Sequence, residues 1–235
     1  MNYKRLLLKI SGEALVGEKE YGIDHKAVMT LARRIKELYD QDFEIGIVLG
    51  GGNIFRGIQQ GPALGIGRTS ADQIGMLATL INGKTLQQAI KLEGVDARLM
   101  TALECPKVAE SYTWEKMMRY LVKRKIVIFA GGTGHPYFTT DSCAALRASE
   151  MGADIFLKCT TRVDGIYSAD PRQTKDAKKY DVMTYKQVLD EKLGILDLTA
   201  VTLCMEERIP IRVFNLLKGS FLEALEGKLG SMVKG

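Results

Sequence analysis

Three short apolar runs in this chain each end in glycine, and each glycine segment carries a hydroxyl or a cation. Ile126–Ala130 leads into Gly131, Gly132 and Gly134, then into Thr139, Thr140 and Asp141 at the expected start of a helix. Arg5–Ile10 contains Lys9 and runs straight into Ser11-Gly12-Glu13. Glu44–Leu49 ends in Gly50-Gly51-Gly52, with Arg56 four residues on. Glycine lets a backbone come close to a ligand with no Cβ in the way. The free amides of a helix's first turn, at the positive end of its dipole, favour an anionic guest. Open parallel sheets bind ligands outside the carboxyl ends of their strands. Three such ends with hydroxyls and cations point to one polyanionic site.

The rest of the chain fits that sheet. Further strand patterns lie at Ala97–Met100, Asp154–Lys158 and Ile211–Phe214. Helical patterns lie between them. Asp24 is placed to cap a helix whose apolar face is Val28, Leu31, Ala32, Ile35, Leu38 and Tyr39, at i, i+3, i+4, i+7 spacing. Others cover Ala71–Glu93, Thr113–Lys123, Ser142–Met151, Lys186–Leu193 and Thr199–Glu207. This alternation predicts an α/β fold, a three-layer αβα sandwich with a mainly parallel central sheet. No linker or repeat divides the 235 residues, so one domain is expected over 1–235. Thr160–Tyr167 reads as a turn or short hairpin, followed by a polar loop at Ser168–Arg172.

Composition removes several classes of function. The net charge of +5 comes from scattered lysines and arginines, which suits a small anionic ligand and gives no nucleic-acid signature. The four cysteines, Cys105, Cys143, Cys159 and Cys204, have no metal-binding spacing and suit a reducing, cytoplasmic setting. Cys143 and Cys204 fall in apolar helical patterns and read as core. No apolar run approaches the roughly 18 residues of a membrane span. The P-loop and G-x-G-x-x-G motifs are absent, as are serine-hydrolase and zinc-protease signatures. His25, after a helix cap, reads as a surface residue, and His135 lies in the glycine loop.

A site of amides, hydroxyls, Lys9, Arg56 and Lys158 has no evident general base. Phosphoryl transfer needs positioning and charge stabilisation and little proton chemistry from the protein. A phosphate acceptor is already anionic near neutral pH, because its second pKa is about 6. The residues therefore suit transfer of a phosphoryl group to another phosphate.

Longer segments carry a resemblance. Lys-Ile-Ser-Gly-Glu-Ala-Leu at 9–15, Gly-Gly-Gly-Asn-Ile-Phe-Arg-Gly at 50–57 and Ala-Asp-Gln-Ile-Gly-Met-Leu-Ala-Thr at 71–79 are three of them. Gly-Thr-Gly-His-Pro-Tyr-Phe-Thr-Thr-Asp at 132–141, Val-Asp-Gly-Ile-Tyr-Ser-Ala-Asp-Pro at 163–171 and Ile-Pro-Ile-Arg-Val-Phe-Asn at 209–215 complete the set. Together they resemble the bacterial uridylate kinases of the amino acid kinase family, over nearly the whole chain. The resemblance implies ATP against Lys9, Ile10, Ser11, Gly12, Gly52 and Arg56, with base and ribose near Thr161, Tyr167 and Asp170. It implies UMP against Gly51, Asp72 and the loop Thr133, Gly134, His135, Pro136, Tyr137, Phe138, Thr139 and Thr140. Lys9, Lys158 and Arg56 would carry catalysis, with Asp141 orienting the cations. Asp72 is also placed to cap a helix, a role that can coexist with contact to a ribose.

The same resemblance implies Mg2+ bound through the ATP phosphates, with no side chain assigned as a metal ligand. It implies GTP as an activator through Gly17, Glu18, Lys19, Glu20, Tyr21, Gly22 and Arg98, UTP as an inhibitor, and a homohexamer in pyrimidine nucleotide biosynthesis. Two departures stand out. His135 replaces the family's usual asparagine, and Cys159–Arg162 is one residue longer than the commonest form. The longer turn predicts a reshaped adenine pocket and relaxed choice of donor. Gln87, Lys91 and Lys125 replace family effector residues, which predicts weaker activation. The rival readings are a kinase of carboxylates or carbamates, and a non-catalytic oxyanion-binding relative.

Overall fold

The computed structural model describes residues 3–56, 60–61, 63–194 and 196–235. Gly57, the last residue of the second glycine motif, lies outside them. Among the described residues the main sheet has nine strands. Its centre is β1 (Arg5–Ile10), flanked by β2 (Glu44–Leu49) and β6 (Ile155–Thr160). Beyond β2 lie β5 (Ile126–Ala130), β3 (Ala97–Thr101) and the short β4 (Glu110–Ser111). Beyond β6 lie β10 (Ile211–Asn215), β11 (Ser231–Lys234) and β9 (Val182–Thr184). All neighbours pair in parallel except β10 and β11. The chain leaves β1 for β2 on one side and returns to β6 on the other, which opens a crevice at their carboxyl ends.

Period-two alternation splits the core into two layers. Leu6, Leu8 and Ile10 of β1, with Ile155 and Leu157 of β6, pack under α1 (His25–Tyr39), α2 (Arg68–Leu92) and α7 (Phe221–Leu225). Leu7 and Phe156 face the opposite layer of α3 (Trp114–Val122), α4 (Thr140–Met151), α5 (Tyr185–Asp190) and α6 (Leu198–Glu206). The architecture is the expected αβα sandwich. Burying one Leu or Ile side chain contributes about 1.5–3 kcal/mol, and the α1 face alone buries Leu31, Ile35 and Leu38.

Capping residues set several boundaries. Asp24 Oδ1 accepts from the Ala27 amide at 2.9 Å and starts α1 as expected. Thr139 caps α4, so that helix begins at Thr140, two residues before the sequence pattern placed it. β6 runs two residues past Lys158, because Cys159 and Thr160 continue the ladder with Phe214 and Asn215. Ile166–Tyr167 (β7) pairs with Lys179–Tyr180 (β8), so the hairpin expected within Thr160–Tyr167 closes around the later loop instead. The strands β4, β9 and β11 and the helix α7 were not anticipated; each is five residues or fewer and carries little periodicity. Cys143 and Cys204 are fully buried, as read, and His25 is exposed. No helix among the described residues is long and apolar enough to cross a membrane.

Candidate active site

The sheet register brings the two site lysines together. Lys9 and Lys158 are direct partners in the β1–β6 ladder. Each stands one step from residues of the α1 layer, so both side chains fall on the α4 face. Asp141, in the first turn of α4, lies over them. Its Oδ1 is 2.8 Å from Lys9 Nζ, and its Oδ2 accepts from Lys158 Nζ. Asp141 and Lys158 are both buried. Burial alone would raise the Asp141 carboxyl, but Lys9 and Lys158 outweigh it and hold it well below the usual carboxylate range. Burial, reinforced by Lys9, lowers Lys158 despite the pull of Asp141. In direct contact, two ammonium groups against one carboxylate leave a unit of positive charge for an anion to neutralise.

The loops around this triad are held by hydrogen bonds. Thr139 Oγ1 accepts from the amides of Asp141 and Ser142, each at 3.2 Å, and donates to Asp197 Oδ2 at 2.7 Å. Ser142 Oγ donates to the same oxygen at 2.5 Å. Burial works against the charge of Asp197, but these hydroxyls outweigh it and keep its carboxyl below the usual range. Asn82, fully buried in α2, donates to the Gly50 carbonyl and to Asn53 Oδ1, both at 2.7 Å. Asn53 in turn donates to the Gly22 carbonyl at 2.9 Å. Gly12 is packed so tightly that a Cβ there would collide with Asn53 and lie 2.7 Å from the Gly50 oxygen. Gly131 has φ of 76°, with a Cβ position 2.9 Å from Thr101 Oγ1, so both conformation and space require glycine.

Two cavities lie near the triad. The larger, about 620 Å³, has Lys9, Ser11 and Lys158 on its wall, with Thr161, Tyr167 and Asp170 further out. The smaller, about 140 Å³, is walled by Gly51, Gly52, Asp72, Thr133 and His135, and by Phe138, Thr139 and Thr140. Gly52, expected with ATP, thus stands beside Gly51 on the smaller cavity. Ile10 is fully buried in the core, and Gly12 is buried beside it. Arg56 stands behind the wall of the larger cavity: its Nε donates to the Gly52 carbonyl at 2.9 Å and its Nη2 to Glu13, which lines that cavity. Thr161 Oγ1 also donates to Glu13, at 2.8 Å. Tyr137 is exposed, with φ of 71°, and its amide donates to Asp72 Oδ2 at 2.8 Å. Gly134 and Pro136 belong to the same turn but not to the cavity wall.

Some readings change on this geometry. Asp72 does not cap α2, because the helix begins at Arg68 with Gly67 as its cap. Its carboxylate instead holds the Tyr137 amide and pairs with Arg68 Nε at 2.7 Å. Gly17 to Gly22, with Glu18, Lys19, Glu20 and Tyr21 between them, follow the carboxyl end of β1, whereas Arg98 stands near the amino end of β3, three strands away. One chain does not bring them together. Glu13, Asp197 and Asn82 were missed. Each is a common residue type in a common position, and only the partners it meets across the fold mark it.

The chain belongs to the amino acid kinase family, whose model matches residues 4–215. Within that family its relatives are uridylate kinases. It is 53% identical over 213 residues to the uridylate kinase of Protochlamydia amoebophila, covering 91% of this chain and 84% of that one. It is 48% identical to the uridylate kinase of Paramagnetospirillum magneticum, covering 96% and 94%. The solved UMP kinase from Bacillus anthracis superposes with a TM-score of 0.93 at 34% identity, over 99% of this chain and 96% of that one. The UMP kinase from Ureaplasma parvum gives 0.93 at 36% identity over the full length of both. The chain is a member of the uridylate kinase group.

Proposed function

We propose that this enzyme transfers the terminal phosphoryl group of ATP to UMP, giving ADP and UDP for pyrimidine nucleotide synthesis. The observation that carries this reading is the buried Lys9–Asp141–Lys158 triad, with its two lysines on the wall of the larger cavity and the smaller cavity beside the adjoining Thr139–Thr140 turn. ATP takes the larger cavity, which has the volume and the outlying Tyr167 for a base and ribose. UMP takes the smaller one, its ribose toward Asp72 and its phosphate toward the Thr139–Thr140 turn. A phosphate oxygen of UMP attacks the terminal phosphorus of ATP, and the bond to the bridging oxygen breaks. Lys9 and Lys158 offset the charge that builds on the transferred group and on ADP, and no protein base is needed.

Mg2+ carried on the ATP phosphates would offset part of their negative charge. Both carboxylate oxygens of Asp141 face lysines, and no cluster of three metal-ligating side chains occurs among the described residues. We assign no side chain as its ligand, and the phosphates of ATP would carry it. The side chains of the longer turn are engaged within the protein: Thr160 donates to the Val163 carbonyl, while Thr161 and Arg162 donate to Glu13. Backbone groups are left to read the base, which supports the expectation of relaxed donor choice.

The cytoplasm suits such a reaction. In our reading GTP is the activator and UTP the inhibitor. An effector touching both Gly17–Gly22 and Arg98 would need a second copy of the chain, which supports an oligomer, read here as a homohexamer. Ile74, Leu77 and Ile81, exposed at i, i+3 and i+7 on α2, form an apolar stripe for that contact. ADP release from ATP is to be measured with UMP, CMP, AMP, glutamate and aspartate. Activity confined to UMP supports the reading, and a preference for any other acceptor overturns it. Rate against GTP at fixed ATP and UMP should show an activating phase; competitive inhibition alone would remove the effector assignment.

Asp72→Asn should raise KM for UMP by about tenfold or more while KM for ATP stays within about twofold, because the lost charge-assisted contact lies on the acceptor side. Equal rises in both constants would move Asp72 out of the acceptor pocket.

A further inference from the structure

Glu13 joins the ends of three strands through one carboxylate. It sits in the 3-10 turn after β1, where Ser11 Oγ accepts from its amide at 3.3 Å. Arg56, from the glycine loop after β2, donates Nη2 to Glu13 Oε1. Arg162, from the turn after β6, donates Nε to Oε2 at 3.0 Å and Nη2 to Oε1, a two-point grip. Thr161 Oγ1 adds a fourth donor at 2.8 Å. Two guanidinium groups meet one carboxylate, so the cluster as a whole is cationic.

A carboxylate on the wall of a cavity for a polyanion needs a physical reason. By charge alone it weakens the binding of phosphates, since like charges repel. Its geometric effect is opposite. Guanidinium is a planar, rigid fork, so fixing two of its N–H edges fixes the direction of the third. Arg56 is held through Nε by Gly52 and through Nη2 by Glu13. Arg162 is held through Nε and Nη2 by Glu13 alone. Among the described residues neither Nη1 group has a partner; Arg162, on the wall of the larger cavity, keeps that edge for a phosphate oxygen, and Arg56 backs the wall through Glu13.

We infer that Glu13 is a positioning residue for the triphosphate of the donor: it aims Arg56 and Arg162 and ties the Thr161–Arg162 turn to the phosphate loops. This rests on the reading of the larger cavity as the donor site. The test is steady-state kinetics of wild type, Glu13→Gln, the Arg56→Ala/Arg162→Ala double variant and the triple variant, with thermal melts of each. Glu13→Gln should raise KM for ATP about tenfold, with KM for UMP within about twofold and an unchanged melting temperature. Added to the double variant, it should change KM for ATP by less than about twofold, because the groups it aims are gone. An unchanged or lowered KM for ATP, or an effect that multiplies fully with the arginine losses, overturns the inference. Wild type with no turnover of ATP and UMP would remove the donor-site reading and this inference with it. Normal wild-type turnover with a wild-type-like Glu13→Gln would remove the role of Glu13 alone.

Discussion

Lys9→Ala is expected to lower kcat by about 100-fold or more, the usual cost of removing a donor that serves the transition state. Lys9 is the register partner of Lys158, and its ammonium lies 2.8 Å from Asp141 Oδ1. Its loss leaves Lys158 and Asp141 as a neutral pair, so the excess positive charge that matches a transferring phosphoryl group disappears. The fold should survive, because Asp141 keeps one buried cation and the β1 backbone ladder is untouched. ADP release under saturating ATP and UMP measures the loss, and a circular-dichroism melt checks the fold. A kcat within a small factor of wild type would remove Lys9 from the chemistry.

Asp141→Asn is expected to damage stability as well as turnover. The substitution keeps the size of the side chain but leaves two adjacent ammonium groups without a counter-charge. Removing one partner from a buried ion pair typically costs about 3–5 kcal/mol, because the remaining charge stays desolvated. Here two charges are stranded, on side chains only 12% and 10% exposed. One of the lysines should lose its proton, which also removes activity. ATP offers the missing negative charge, so it should raise the melting temperature of the variant more than that of wild type. Urea denaturation and thermal melts with and without ATP test both parts. A wild-type urea midpoint would show that the triad does not carry the stability assigned to it.

The two cases mark how far the sequence is readable. Lys9, Lys158 and Asp141 were each legible, because each follows an apolar run and stands beside glycines or hydroxyls. Their mutual contact was not. It depends on β1 pairing with β6, more than 140 residues away in the chain, and on α4 covering that face of the sheet. Glu13 shows the same limit more sharply. In sequence it is an acidic residue after Ser-Gly, one of 28 acidic side chains. It acquires a role only where the ends of β1, β2 and β6 converge.

Local periodicity and turn chemistry act over a few residues, so the chain by itself determined its six long strands, most of its helices, the glycine loops and the kind of ligand they suit. The short strand β11 forms where β10 offers an edge, β9 forms on β11 in turn, and the Thr139 cap of α4 is tied across the fold to Asp197. The direction of Arg56, the buried amide pair Asn53–Asn82 and the separation of Arg98 from Gly17–Gly22 were likewise decided in three dimensions. Each depends on groups far apart in the chain meeting at one point. Burial then raises the cost of leaving any one of them unpaired, so the partners found in the fold determine what each side chain does.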